Sequence, residues 1–133
     1  NLQELYLTPS MMDKKAWDDV AAGARWARRF QDVLADVHWV GGNPNQLEPY
    51  GYAAWSPRGC TLALRTPDDR PRTSDLDAST VFEPVKGVPA VFPMKASYPD
   101  QRVKTLNLEQ GKPVSLELQP FEVLVFDMRT NGH

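Results

Sequence analysis

Residues 121–128 read Phe121-Glu122-Val123-Leu124-Val125-Phe126-Asp127-Met128. In an extended chain Phe121, Val123 and Val125 point one way, and Leu124, Phe126 and Met128 point the other. A strand that is apolar on both faces belongs in the middle of a sheet. Working back from it, Val114, Leu116 and Leu118 alternate with polar neighbours. Glu109-Gln110-Gly111-Lys112 has turn composition, and Lys104, Leu106 and Leu108 alternate with Val103, Thr105 and Asn107.

Further upstream, Val88–Met94 is apolar but holds Pro89 and Pro93, which predicts an edge or kinked strand. Weak strands are predicted near Ser74–Asp77 and Val81–Glu83, after a polar loop at Thr66–Arg72. Tyr50–Trp55 alternates, Ser56-Pro57-Arg58-Gly59 turns, and Cys60, Leu62 and Leu64 share a face, so these residues predict a hairpin. Six to eight short strands with Gly and Pro at their turns fit a mainly β chain folded as an antiparallel β-sandwich.

The first forty residues follow a different rule. Of twelve prolines only Pro9 precedes Gly42. From Ser10 to Val37 apolar or small residues recur at Ala16, Val20, Gly23, Ala27, Phe30 and Leu34, with Trp17, Ala21 and Ala24 widening the stripe. That spacing predicts one long amphipathic α-helix ahead of the sandwich. Ser10 with Asp13 reads as a capping box, or Thr8 caps with Pro9 in the first turn. Gly41-Gly42 supplies the stop, and a loop follows to Gly51. Leu2, Leu5 and Leu7 form a short apolar segment that reads as either a strand or a helical turn. The predicted division is residues 1–42 for the N-terminal segment and helix, and residues 43–133 for the sandwich.

Composition narrows the function. Among 133 residues, fifteen Lys+Arg against seventeen Asp+Glu give a formal charge of −2, against a dedicated nucleic-acid binder. No apolar run is long enough to cross a bilayer. The single Cys60 excludes an internal disulfide framework and a cysteine zinc cage, and within a strand it reads as a small apolar residue. No signal peptide is visible, and the chain begins at Asn1, as a processed product or an excised fragment would.

Trp39, Tyr50, Tyr52 and Trp55 are the candidate binding residues, because the apolar side of a sugar ring stacks on flat aromatic faces. Core filling is the competing reading, and alternation puts Tyr52 and Trp55 on opposite faces. His38 reads as a cation at the helix C-terminus, and His133 is the last residue. The carboxylates Asp18, Asp19, Asp32, Asp36, Asp68, Asp69, Asp75 and Asp77 read as solvated surface rather than as a glycosidase pair, which needs about 5–10 Å across a cleft. Arg25, Arg28 and Arg29 read as partners of the helix aspartates. Nucleotide, phosphate, nucleophile-elbow and zinc-protease motifs are missing, so no catalytic residue, metal ligand or cofactor is predicted.

The stretches LQELYLTPSMM, ARWARRFQDVLADVHWVGGNP, YGYAAWSPRGCTLALRTP and ELQPFEVLVFD resemble the C-terminal part of large bacterial glycosidase-like proteins. These are similar to the α-galactosidase clan of glycoside hydrolases, with relatives sometimes labelled enterotoxin. The resemblance implies that a (β/α)8 barrel precedes the chain as its partner and carries the catalytic aspartates. It also implies that the helix packs beside that barrel, that the sandwich spans about Glu48–Arg129, and that the protein is secreted or periplasmic. An accessory, non-catalytic domain is the leading expectation; a carbohydrate-binding module on the aromatics is the second.

Overall fold

The computed structural model describes residues 5–83 and 90–130. A helix α1 (Lys14–Arg29) precedes strands β1 (Val37–Gly41), β2 (Tyr50–Ser56), β3 (Gly59–Arg65) and β4 (Arg72–Leu76). A single helical turn α2 (Ala78–Val81) follows, then β5 (Val91–Ala96), β6 (Thr105–Glu109), β7 (Val114–Leu118) and β8 (Val123–Arg129). Six strands form one antiparallel sheet in the order β1-β2-β3-β8-β5-β6, and β4 pairs with β7 in a second. The chain is mainly β, with one long helix ahead of the sheets, and β8 is central as its two apolar faces predict.

The core lies between the sheets. Leu62 and Leu64 of β3, Leu124 and Phe126 of β8, Phe92 of β5 and Leu108 of β6 form one buried cluster with Leu76 of β4 and Leu118 of β7. Strand alternation sends every second residue of the large sheet into this cluster and its neighbours outward. Helix α1 lies on that outward side. Trp26 Nε1–H donates to Asp127 Oδ2 at 3.0 Å, and Phe30, Val33 and Leu34 bury against Ala54 of β2. Arg129 grips Asp32 through two hydrogen bonds of 2.8 and 2.9 Å, with its guanidinium 4.6 Å above the Phe30 ring.

Several local expectations are corrected. Asp13 is itself the N-cap, accepting from Ala16 N–H at 2.7 Å, while Pro9–Met11 forms a separate 3-10 turn. The helix ends at Arg29, not Val37. The N–H groups of Val33 and Leu34 both donate to Phe30 O, which coils the chain back on itself and into β1. Phe30, Val33 and Leu34 keep helical spacing only because that turn buries them together. Gly41 therefore closes a strand: at φ 89°, a Cβ there would meet Pro49 O at 2.6 Å. His38 lies in β1, where Nε2–H donates to Val81 O at 2.7 Å. Residues 78–81 are helical because the Asp77 carboxylate caps Ser79 N–H, so no strand forms at Val81–Glu83.

Other expectations fall differently. Pro93 sits in β5 opposite Asn107 of β6, while pairing with β8 covers only Lys95 and Ala96. The edge expectation is thus corrected, since β5 lies between β8 and β6, but the proline falls where β5 pairs with β6 alone. Lys14 and Lys15 pair with Asp18 and Asp19 at 2.6 Å, but Asp32 turns to Arg129 and Arg58 rather than to the helix arginines. Leu5 and Leu7 belong to no regular element, and Leu2, Val88, Pro89 and His133 lie outside the described residues.

Candidate functional site

The register of the first three strands decides where the aromatics go. Trp39 is opposite Tyr52, and Gly41 is opposite Tyr50. Tyr50 and Tyr52 are two residues apart on β2 and share the outer face with Trp39. The Trp39 ring stacks on Tyr50 with centroids 4.8 Å apart and planes 6° from parallel. It meets Tyr52 edge-on, at 5.6 Å and 82°. Arg65, cross-strand from Tyr50, places its guanidinium 5.5 Å above that ring. Trp39 remains 46% exposed and Tyr52 51% exposed. Trp55 stands apart from these three: it alternates to the inner face and packs against the core.

A groove of about 620 Å³ opens on the same side of the sheet. Its floor is Val123 and Val125 of β8; its walls are Lys15 and Asp19 of α1 and the loop bearing Tyr98, Asp100 and Arg102. The loop is pinned to the sheet by Gln101, whose Nε2–H donates to Val103 O and whose Oε1 accepts from Val125 N–H at 2.7 Å. Arg102 grips both oxygens of Glu122 at 2.9 and 2.7 Å. That guanidinium holds the Glu122 carboxyl below its usual range, with the Gln119 N–H assisting. Sequence reading missed this wall, because Arg102 and Glu122 are distant in the chain, one in the loop ahead of β6 and the other just ahead of β8, and meet only in the folded sheet. The local signal is the Tyr98-Pro99-Asp100 loop, whose aromatic and carboxylate sit among turn residues.

Elsewhere the polar groups serve structure. Ser115 Oγ–H donates to Asp75, Asp68 pairs with Arg72, and Asp77 also accepts from Gly111 N–H at 3.1 Å. Burial, with the nearby Asp127 charge, pushes the Cys60 thiol up to about 12, too high for a nucleophile at neutral pH. Among the described residues no group of three or more His, Cys, Asp or Glu side chains converges as metal ligands would. Nor is any described helix long and apolar enough to cross a membrane.

The chain matches no family model and no curated protein. Among solved structures it is similar to one from Bacillus halodurans C-125 described as "a putative alpha-N-acetylgalactosaminidase", with TM-score 0.51 and 14% identity. The match covers 71% of this chain and 21% of that one, so the similarity shows a shared fold over about a fifth of a much longer glycoside hydrolase.

Proposed function

We propose that this chain is a non-catalytic C-terminal accessory β-sandwich of a glycoside-hydrolase-like protein, secreted or periplasmic, that supports the catalytic (β/α)8 barrel of its parent. The observation that carries the reading is helix α1, which is apolar on two sides and buries no residue of its own. Trp26 faces the sheet. Trp17 lies nine positions earlier, about two and a half turns, and so projects from the opposite side with Ala21 and Ala24. Charged residues separate this second apolar strip from the one on the sheet, so the helix can take a layer on each strip, and here one layer is present. Trp17 is 45% exposed. A preceding domain laid on that side would complete the packing, and the limited coverage of the longer neighbour is consistent with such a domain.

The test is sedimentation of the chain alone, with and without Trp17→Glu. Self-association of the parent sequence, abolished by Trp17→Glu with an unchanged circular dichroism spectrum, supports a docking face. A monomer at all concentrations that binds no hydrophobic dye overturns it.

A second reading is a carbohydrate-binding surface on Trp39, Tyr50 and Tyr52, favoured by the exposure of Trp39 and Tyr52 outside the core. Saturable amide shifts at these residues on titration with sugars support it. No shift at millimolar sugar removes it.

A further inference from the structure

The groove and the aromatic cluster adjoin on the outer face of the sheet. A small apolar cleft of about 90 Å³ lies beside Tyr50 and Tyr52, and Val123 lines both this cleft and the groove. We propose that the two form one elongated site for a neutral oligosaccharide, with its apolar ring face on Tyr52 and Trp39 and its hydroxyls in the groove. The proposal rests on the second reading above and extends it from a local platform to a chain-length-dependent site.

Three features favour this occupant. The first is reach: from β1 to β8 is three strand spacings, roughly 14 Å, which exceeds a single sugar ring. The second is charge. In the groove the cations Lys15 and Arg102 are paired with Asp19 and Glu122 and Asp100 adds a negative charge, while in the cleft Arg65 lies over the Tyr50 ring, so the site has little net positive field to attract a phosphate or a nucleic acid. What it offers is a close mixture of donors and acceptors above an apolar floor, which suits hydroxyl groups that both give and take hydrogen bonds. A protein partner would meet charged groups at the rim of a narrow apolar strip. The third is rigidity. Gln101 and the Arg102–Glu122 pair fix one wall, and Trp26–Asp127 with Arg129–Asp32 fixes the helix, so binding costs little ordering.

The test is amide NMR titration of the whole chain with galactose, xylose and glucose against galactotriose, xylotriose and cellotriose. At least one trisaccharide should bind ten-fold or more tightly than its own monosaccharide, shifting amides at Tyr52 and at Tyr98 and residues 100–102 together. Asp100→Ala, at an exposed position, should weaken the trisaccharide several-fold and leave the monosaccharide unchanged, whereas Tyr52→Ala should weaken both. Binding confined to Trp39 and Tyr52, with no gain from chain length, overturns the elongated site and leaves the platform standing. An Asp100→Ala variant with unaltered trisaccharide affinity also overturns it. If no sugar shifts any amide, the elongated site and the platform fall together.

Discussion

The two faces of the six-stranded sheet are built to different standards. Inward, Leu62, Leu124 and Phe126 are wholly buried against the second sheet. Outward, β2 presents Tyr52, β8 presents Val123 and β1 presents Trp39 to solvent, while α1 covers only part of the surface. The core needs nothing from the uncovered part. The proposed readings put contacts with a partner on the uncovered part of the outer face, while most of the burial lies inward and a smaller cluster of Phe30, Val33, Leu34 and Ala54 lies under the end of the helix.

That division is most directly broken at Phe126. Phe126→Ala should cost about 3–5 kcal/mol, from lost transfer energy plus the cavity left behind. Urea unfolding measures it; a loss below about 1 kcal/mol would mean the inner face is not the main store of stability.

The next effect tests how the helix is held. The Arg129 guanidinium beside Asp32 keeps its carboxyl well below the usual carboxylate range, and Arg102 lowers that of Glu122. A carboxyl depressed in the folded state contributes stability that is complete above its unfolded pKa, about 4, and lost as pH falls through the folded value. The urea midpoint should therefore fall below about pH 4. Asp32→Asn should lower the midpoint at pH 7 and reduce the further loss between pH 7 and pH 3. An unchanged difference between those two pH values would remove the Asp32–Arg129 pair from the acid response.

A smaller change sharpens the same point. Trp26→Phe keeps a ring against Phe30 but deletes the donor to Asp127, which retains the Ser97 hydroxyl at 2.6 Å. A loss of about 1 kcal/mol is expected, the usual net worth of one such bond. If the variant unfolds as wild type, the helix is seated by packing alone.

The sequence made the inner face far more legible than the outer. Period-two alternation placed β6 and β7 well, because each has one face sealed by the core and one facing water, and burial enforces the pattern; it also placed β2 and β3, whose outer faces are partly covered. The two apolar faces of residues 121–128 located β8 in the middle of the sheet. The same reasoning failed between Phe30 and Val37, where three apolar side chains at helical spacing line a turn and hide the start of β1. For the aromatics, alternation separated Trp55 from Tyr52, while the placement of Trp39 needed the β1–β2 register, a property of two segments together. The groove was illegible for a related reason: α1, the loop at Tyr98–Arg102 and β8 meet only after the sheet has formed.

The smallest expected effect is the most pointed. Val123→Thr replaces one methyl group with a hydroxyl and keeps the β-branched shape that a strand favours. At a buried site the hydroxyl would need a partner and would cost about 1–3 kcal/mol without one. Val123 is 57% exposed, so water can satisfy the hydroxyl and the variant should unfold within about 0.5 kcal/mol of the parent. A cost above about 1 kcal/mol would mean that the outer face of β8 is covered in solution, as self-association would cover it. With stability unchanged, weaker trisaccharide binding by the same variant would place the apolar character of residue 123 in recognition rather than folding.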